Sequence, residues 1–257
     1  MEYRWLLEMD NTSFVDVFLV EGPNPEIAYR TGLTTYHEAL INGQFVGRGW
    51  NGQGCIHPKS LLLNPSTHPT PQTFWIEVDG QLLHSHWEWI GLTKENADGK
   101  LHVTIELRHS IRPVEIKIHT LLDGTPVITR WIEIKNTGDT PAALSAAFPW
   151  SGVLYTASRY AREFGEDDPG LMYSVGYTVD SRWGGEGNFQ WQALPNAGYR
   201  IDGTYRRLRH RQPMFLLENH VTGEHFRGQL AWSGGWAFEF DYDSRPGISQ
   251  RDPRLFF

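Results

Sequence analysis

Three residues with metal-ligand chemistry stand close together: His84, His86 and Glu88, at i, i+2 and i+4. In a strand that spacing puts all three on one face. Two imidazoles and a carboxylate suit zinc or non-haem iron. No closing ligand is identifiable elsewhere, so the expectation is the polar outer face of an edge strand, backed by Leu83, Trp87 and Trp89, and no bound metal. His102 and Glu106 are a second pair, a base and a carboxylate sharing the face of one strand, as general acid–base chemistry would require. Arg206, Arg207, Arg209, His210 and Arg211 form a basic run. On a strand, three of its arginines would share a face and could clamp a carboxylate or phosphate. The plainer reading pairs them with the acidic stretch around Glu163, Glu166, Asp167 and Asp168.

Gly47 to His57 reads GRGWNGQGCIH. It lacks the Lys-Ser/Thr end of a phosphate loop and the strand-to-helix setting of a dinucleotide fingerprint. Its glycines would let the backbone turn tightly and present Trp50 outward; the alternative is a Trp50 folded back over the core. Glycoside hydrolysis needs two carboxylates about 5–10 Å apart. No acidic pair here is distinguishable from solvated surface, and no Gly-x-Ser-x-Gly elbow is present. No catalytic residue is assigned, and no cofactor is expected.

These residues must be carried by strands. Leu101, Val103, Ile105 and Leu107 alternate with His102, Thr104, Glu106 and Arg108; Val114, Ile116 and Ile118 alternate with Glu115, Lys117 and His119. Ile132 and Ile134, and further on Trp236, Phe238 and Phe240, repeat the pattern. Period-two alternation gives each strand one apolar and one wet face, the mark of antiparallel sheets with one face on a core. Turn residues fall between the strands at Asp79-Gly80, Asp98-Gly99, Asp123-Gly124, Thr137-Gly138-Asp139 and Thr222-Gly223. The sequence predicts an all-β, two-layer antiparallel sandwich with little helix. The rhythm breaks at Gly43–Pro71, read as one long functional loop, and at the acidic stretch Ser158–Gly170, read as a surface excursion.

The chain has 257 residues and a formal charge of −7, which argues against nucleic acid as the main partner. One cysteine, Cys55, rules out an intramolecular disulfide. No apolar run approaches the ~20 residues that span a bilayer, and no signal peptide is recognisable at the start; the expectation is a soluble, cytoplasmic protein that binds no membrane. The length suits a single large all-β domain over residues 1–257. Eleven Trp, ten Tyr and thirteen Phe fit β structure first, and sugar stacking second. The apolar ending Leu255-Phe256-Phe257 suggests a tail packed on a neighbour, or a chain cut from a longer protein.

Two segments resemble a known family. Pro126–Asn136 reads PVITRWIEIKN and is followed by Thr137-Gly138-Asp139; Pro213–Asp241 contains PMFLLEN, then Thr222-Gly223-Glu224, then LAWSGGW from Leu230 to Trp236. In order and separation they resemble the N-terminal β-supersandwich domain of glycoside hydrolase family 36, the alpha-galactosidases or melibiases. The resemblance covers residues 72–242 and departs in two places. Only His210 can correspond to the family's Ser-Ser-His-type stretch, and Gly235 stands where the family has asparagine. It implies a galactose mutarotase-like supersandwich. It also implies that the family's catalytic aspartates lie on a TIM barrel that is absent from these residues.

The expected function is therefore that of a non-catalytic N-terminal domain of an alpha-galactosidase-like hydrolase. Such a domain packs on the catalytic barrel, supports homo-oligomer formation and helps to wall the galactoside pocket. Long loops on a rigid sandwich can reach a neighbouring site, and Trp50, Asn51 and His57 are the residues expected to contact carbohydrate. Two alternatives stay open. One is a freestanding carbohydrate-binding module using Trp183, Trp191 or Tyr199. The other is a mutarotase-like epimerase using His102 and Glu106.

Overall fold

The computed structural model describes residues 14–52, 72–155, 173–179, 184, 187–195, 198–203, 211–220, 222–232, 234–243 and 254–256. Every regular element among them is a strand, and no helix there is long and apolar enough to cross a membrane. Two compact units divide the chain, Met1–Val153 and Leu154–Phe257.

The first unit begins with an antiparallel meander of β1 (Val15–Val20), β2 (Glu26–Thr31), β3 (Thr34–Ile41) and β4 (Gln44–Asn51). A small sheet holds β5 (Trp75–Val78), β6 (Gln81–Leu82) and β11 (Leu144–Phe148) in the order β11-β5-β6. The longest strands form a third sheet: β7 (Trp87–Ala97), β8 (Lys100–His109), β9 (Val114–Leu122) and β10 (Ile128–Asn136), in the order β10-β9-β8-β7. The predicted alternation holds along β8 and β9, where Val103, Ile105, Leu107, Val114, Ile116 and Ile118 are buried. Asp98 and Gly99 both carry positive φ, 54° and 74°, the backbone of the tight hairpin their types demand. A short strand, β12 (Val153–Tyr155), runs across the boundary of the two units.

Two expectations are corrected here. The long loop read over Gly43–Pro71 is not found in its first part, which is a turn and the strand β4. Asn42 and Gly43, at φ 50° and 76°, close a two-residue hairpin turn, and Gln44–Asn51 pairs with β3 through a bulge at His37/Glu38. Of the glycines that suggested a loop, Gly47 and Gly49 are strand residues next to that bulge; residues 53–71 lie outside the described residues. The strand expected through His84, His86 and Glu88 is also absent. Residues 83–86 form a bend, His86 has φ 71°, and only Glu88 lies in β7. The three side chains therefore do not share a strand face.

The second unit contains β13 (Tyr173–Thr178), β14 (Phe189–Ala193), β16 (Met214–Asn219) and β17 (His225–Gln229), in the order β14-β13-β16-β17. The strand β15 (Gly198–Gly203) pairs with β18 (Trp236–Asp243), and β18 with β19 (Arg254–Phe256). Tyr173, Val175, Tyr177, Phe215 and Leu217 of the first group pack with Ile201, Trp236 and Phe240 of the second in one apolar core. The tail residues Leu255 and Phe256 are thus strand partners of Tyr242 and Asp241. The acidic stretch over residues 158–170, and all of the basic run except Arg211, lie outside the described residues.

Candidate functional site

The motif strand β10 carries one charged residue in its apolar phase. Arg130 occupies the register of Ile128, Ile132 and Ile134, on the core side of the sheet. A lone guanidinium there would be prohibitively costly. Its partner comes from β3: Nη1 donates to Glu38 Oε2 at 2.8 Å and Nη2 to Glu38 Oε1 at 2.6 Å, a two-pronged fork with neither side chain exposed. Nε and Nη2 also donate to Thr120 Oγ1 on the adjacent strand, at 3.2 and 3.1 Å. The Tyr29 hydroxyl donates to Glu38. Burial, then the Glu38 charge, pushes the Tyr29 and Tyr36 hydroxyls well above the usual phenol range. Burial alone would lower the Arg130 pKa, but Glu38 and the two tyrosines carry it above its ordinary value.

Aromatic rings close over this ion pair. The Arg130 guanidinium carbon lies 5.2 Å from the Tyr36 ring centroid and 5.0 Å from that of Trp150. Trp50, at the end of β4, packs on both, with centroids 4.6 Å from Tyr36 and 4.7 Å from Trp150. Trp50 is 8 % exposed; of its two sequence readings, the ring folded back over the core is the one found. Asn51 closes β4, and His57 lies outside the described residues. Sequence reasoning missed Glu38 and Arg130, although an arginine in the apolar phase of an alternating strand was a visible signal.

A second cluster stands on the opposite face of the β10-β9-β8-β7 sheet. His102 and His119 approach to 3.1 Å between Nε2 and Nδ1, and Thr104 Oγ1 is 3.1 Å from the same His119 Nδ1. Trp131 stacks on His119 at 4.8 Å and 6°. Glu133 Oε1 lies 3.3 Å from His119 Nε2. Burial lowers the His119 pKa, with Glu133 opposing. The acid–base pair expected from His102 and Glu106 is not formed. Both are on this face, but Glu106 pairs with Lys117 at 2.9 Å, and the carboxylates near the imidazoles are Glu133, 3.3 Å from His119, and Glu95, 3.9 Å from His102. The cause is register: Glu106 lies opposite Lys117, two residues from the row that holds His119. Among the described residues no group of three or more His, Cys, Asp or Glu side chains comes together as metal ligands.

The remaining motif residues build turns and close contacts. The Asn136 carboxamide accepts from the Gly138 N–H at 2.9 Å and donates to the Thr140 carbonyl at 2.8 Å, fixing the turn after β10. Asn219 accepts from the Thr222 N–H at 3.2 Å, and its carbonyl accepts from the Gly223 N–H at 2.8 Å, shaping the β16–β17 hairpin. Trp232 curls over Gly234, where an added Cβ would lie 2.6 Å from the indole nitrogen.

Comparison with known proteins places this architecture. No family model matches the sequence, and no curated protein matches it either. Solved structures do match. The galactosidase domain of the alpha-galactosidase-sucrose kinase AgaSK superposes with a TM-score of 0.66 at 14 % identity, over 93 % of this chain and 38 % of that one. The fold is one found within alpha-galactosidases. The GH36 alpha-galactosidase AgaA from Geobacillus stearothermophilus, in complex with raffinose, gives 0.66 at 12 % identity over 90 % of this chain and 36 % of its own. The alpha-galactosidase from Lactobacillus brevis gives 0.65 at 12 % identity over 92 % and 36 %. The chain thus spans little more than a third of the length of the structures it matches.

Proposed function

We propose that residues 1–257 act as one non-catalytic β-supersandwich domain of an alpha-galactosidase-like glycoside hydrolase. The domain packs against a catalytic barrel, supports oligomer formation and contributes to the wall of a galactoside pocket. The observation that carries this reading is the asymmetry of the structural match: at least 90 % of this chain aligns with about 36–38 % of each alpha-galactosidase chain. The rest of those enzymes has no counterpart here, in keeping with a chemistry that resides elsewhere. The clusters found fit the same role. Glu38 and Arg130 neutralise each other out of reach of solvent, and Trp50 stiffens the strand from which residues 53–71 depart. In this proposal those residues, with Asn51 and His57, form the carbohydrate-facing loop.

The test is a chromogenic alpha-galactoside assay on the purified chain, run beside sedimentation analysis. No turnover, from a chain that self-associates, is expected, because hydrolysis needs an acid and a nucleophile in fixed geometry. Turnover that survives stringent purification of a strictly monomeric chain overturns the reading.

A further inference from the structure

Phe189 and Trp191 stand on the face of β14 that points away from the core. The intervening Gln190 reaches the other way, to the hydroxyl of the buried Tyr177 at 2.5 Å. Phe189 is 40 % and Trp191 45 % exposed, a large aromatic surface to leave in water. The two rings meet edge to face at 5.5 Å and 81°. Gly176, opposite Trp191 on β13, makes this arrangement possible. A Cβ there would lie 2.4 Å from Phe189 Cζ and 3.0 Å from Trp191 Cε3. Phe189 therefore leans across the bare backbone of Gly176 and braces the indole.

Beyond the aromatic edge the same face carries the half-buried Leu216 and Met214 and, beside them, a polar group. The register continues from Gly176 through Leu216 to Arg227, and in the neighbouring row from Ala193 through Ser174 and Glu218 to His225. Ser174 Oγ is 2.8 Å from His220 Nε2. The Glu218 carboxylate lies 3.8 Å from His220 Nδ1 and 3.9 Å from His225 Nε2, beyond hydrogen-bond length from both. Strands are about 4.8 Å apart, so these groups sit one to three strand spacings from Trp191.

We propose that the outer face of the β14-β13-β16-β17 sheet is a saccharide-binding face, with the Trp191 indole stacked on one pyranose ring of an oligosaccharide, Ser174 beside that ring, and Glu218, His225 and Arg227, two to three strand spacings away, hydrogen-bonded to hydroxyls of the rings that follow. A pyranose presents an apolar C–H face and a rim of hydroxyls that both donate and accept. The site offers an apolar plane and, beside it, a carboxylate, imidazoles and a guanidinium. A protein partner would want apolar surface at the centre of the contact and few charges; here Phe189, Trp191 and the half-buried Leu216 and Met214 are bordered by Glu218, His225 and Arg227. A phosphorylated ligand would meet Glu218 and a chain of net charge −7. The bracing of Trp191 by Phe189 reduces the ordering that binding must cost. The face belongs to the second unit, whereas Trp50, Asn51 and His57 belong to the first, and it stands whether or not the hydrolase reading holds.

The experiment titrates the whole chain with methyl alpha-galactoside, raffinose and maltotriose, read by calorimetry and saturation-transfer NMR. Saturable binding of at least one is expected, weakened roughly tenfold or more in Trp191→Ala, weakened also in Glu218→Gln and Arg227→Ala, and unchanged in Trp131→Ala. Circular dichroism reports whether each variant folds; the two polar variants carry the test should Trp191→Ala not fold. Wild-type chain that binds none of the three, binding indifferent to all three face variants, or a Trp191-dependent dimer in sedimentation overturns the proposal. Failure of the hydrolase reading shows in a different signal, turnover.

Discussion

The side chains of Arg130 and Glu38 sit where neither is exposed, so removing one leaves the other as an uncompensated buried charge. Arg130→Met should destabilise the chain by about 3–5 kcal/mol in denaturant unfolding. The double variant Arg130→Met/Glu38→Leu should recover much of that loss, because an apolar pair of similar volume removes the stranded charge. His37, one residue before Glu38, makes a second prediction. It is 1 % exposed, and burial pulls its pKa down from 6.5 to about 4. The unfolded chain then binds the proton more readily than the folded one. Stability is full above pH 6.5 and falls as pH drops toward 4, by up to about 3 kcal/mol. Burial lowers His109 and His119 as well, which adds to the slope in the same direction. A His37→Phe chain whose unfolding free energy depends on pH as strongly as the parent's would remove His37 from the account.

At the scale of elements, contacts between strands are closed by missing side chains as much as by present ones. Gly228 of β17 lies opposite Phe215 of β16, and a Cβ there would fall 2.1 Å from the Phe215 ring. Phe215 is 3 % exposed and packs edge-on against Phe238 and Phe240, so the ring has nowhere to move. Gly228→Ala should therefore lower the thermal midpoint, at a cost of roughly 1–3 kcal/mol. Surface Gly99→Ala, which meets open space, tests backbone strain alone. The strands themselves were legible in the sequence wherever alternation was regular, as along Leu101–Leu107 and Val114–Ile118. Legibility failed where local pattern and tertiary setting parted. Gln44–Asn51 carries loop-like glycines, yet pairs with β3 on either side of a bulge. His84 to Glu88 alternates like a strand, yet bends at Ser85 because His86 takes a positive φ. The ion pair was beyond reach of spacing arguments, since its partners are 92 residues apart in sequence. Trp191 was readable as a candidate, but the glycine beneath it acquires meaning only once the register is known.

At the scale of the whole molecule, the fold match and the residue clusters describe different things. The match to alpha-galactosidase structures rests on architecture at 12–14 % identity, and the motif residues that suggested the family turn out to serve that architecture. Asn136, Asn219, Gly223 and Gly234 shape turns and packing, while Arg130 ties β10 to β3. A shared scaffold can keep such residues while its surfaces diverge, and fold alone does not fix function. The functional question therefore sits on a feature that the described scaffold does not need: the exposed aromatic face of β14.

The fork between Arg130 and Glu38 also has a consequence in time. Thr31 Oγ1 donates to the Thr125 carbonyl at 2.7 Å and accepts from the Gly124 N–H at 2.9 Å, so the β9–β10 hairpin is latched to the β2–β3 hairpin at its turn as well as at its middle. Neither hairpin can peel away without exposing half of an ion pair to an interior that cannot solvate it. Partial opening at this place is thus nearly as costly as complete opening. Native-state hydrogen exchange should find the amides of β2, β3, β9 and β10 exchanging together, with one common free energy and one denaturant dependence. In Arg130→Met/Glu38→Leu, which keeps the packing and discards the latch, β10 should separate from that group as the sheet's outer strand and exchange first.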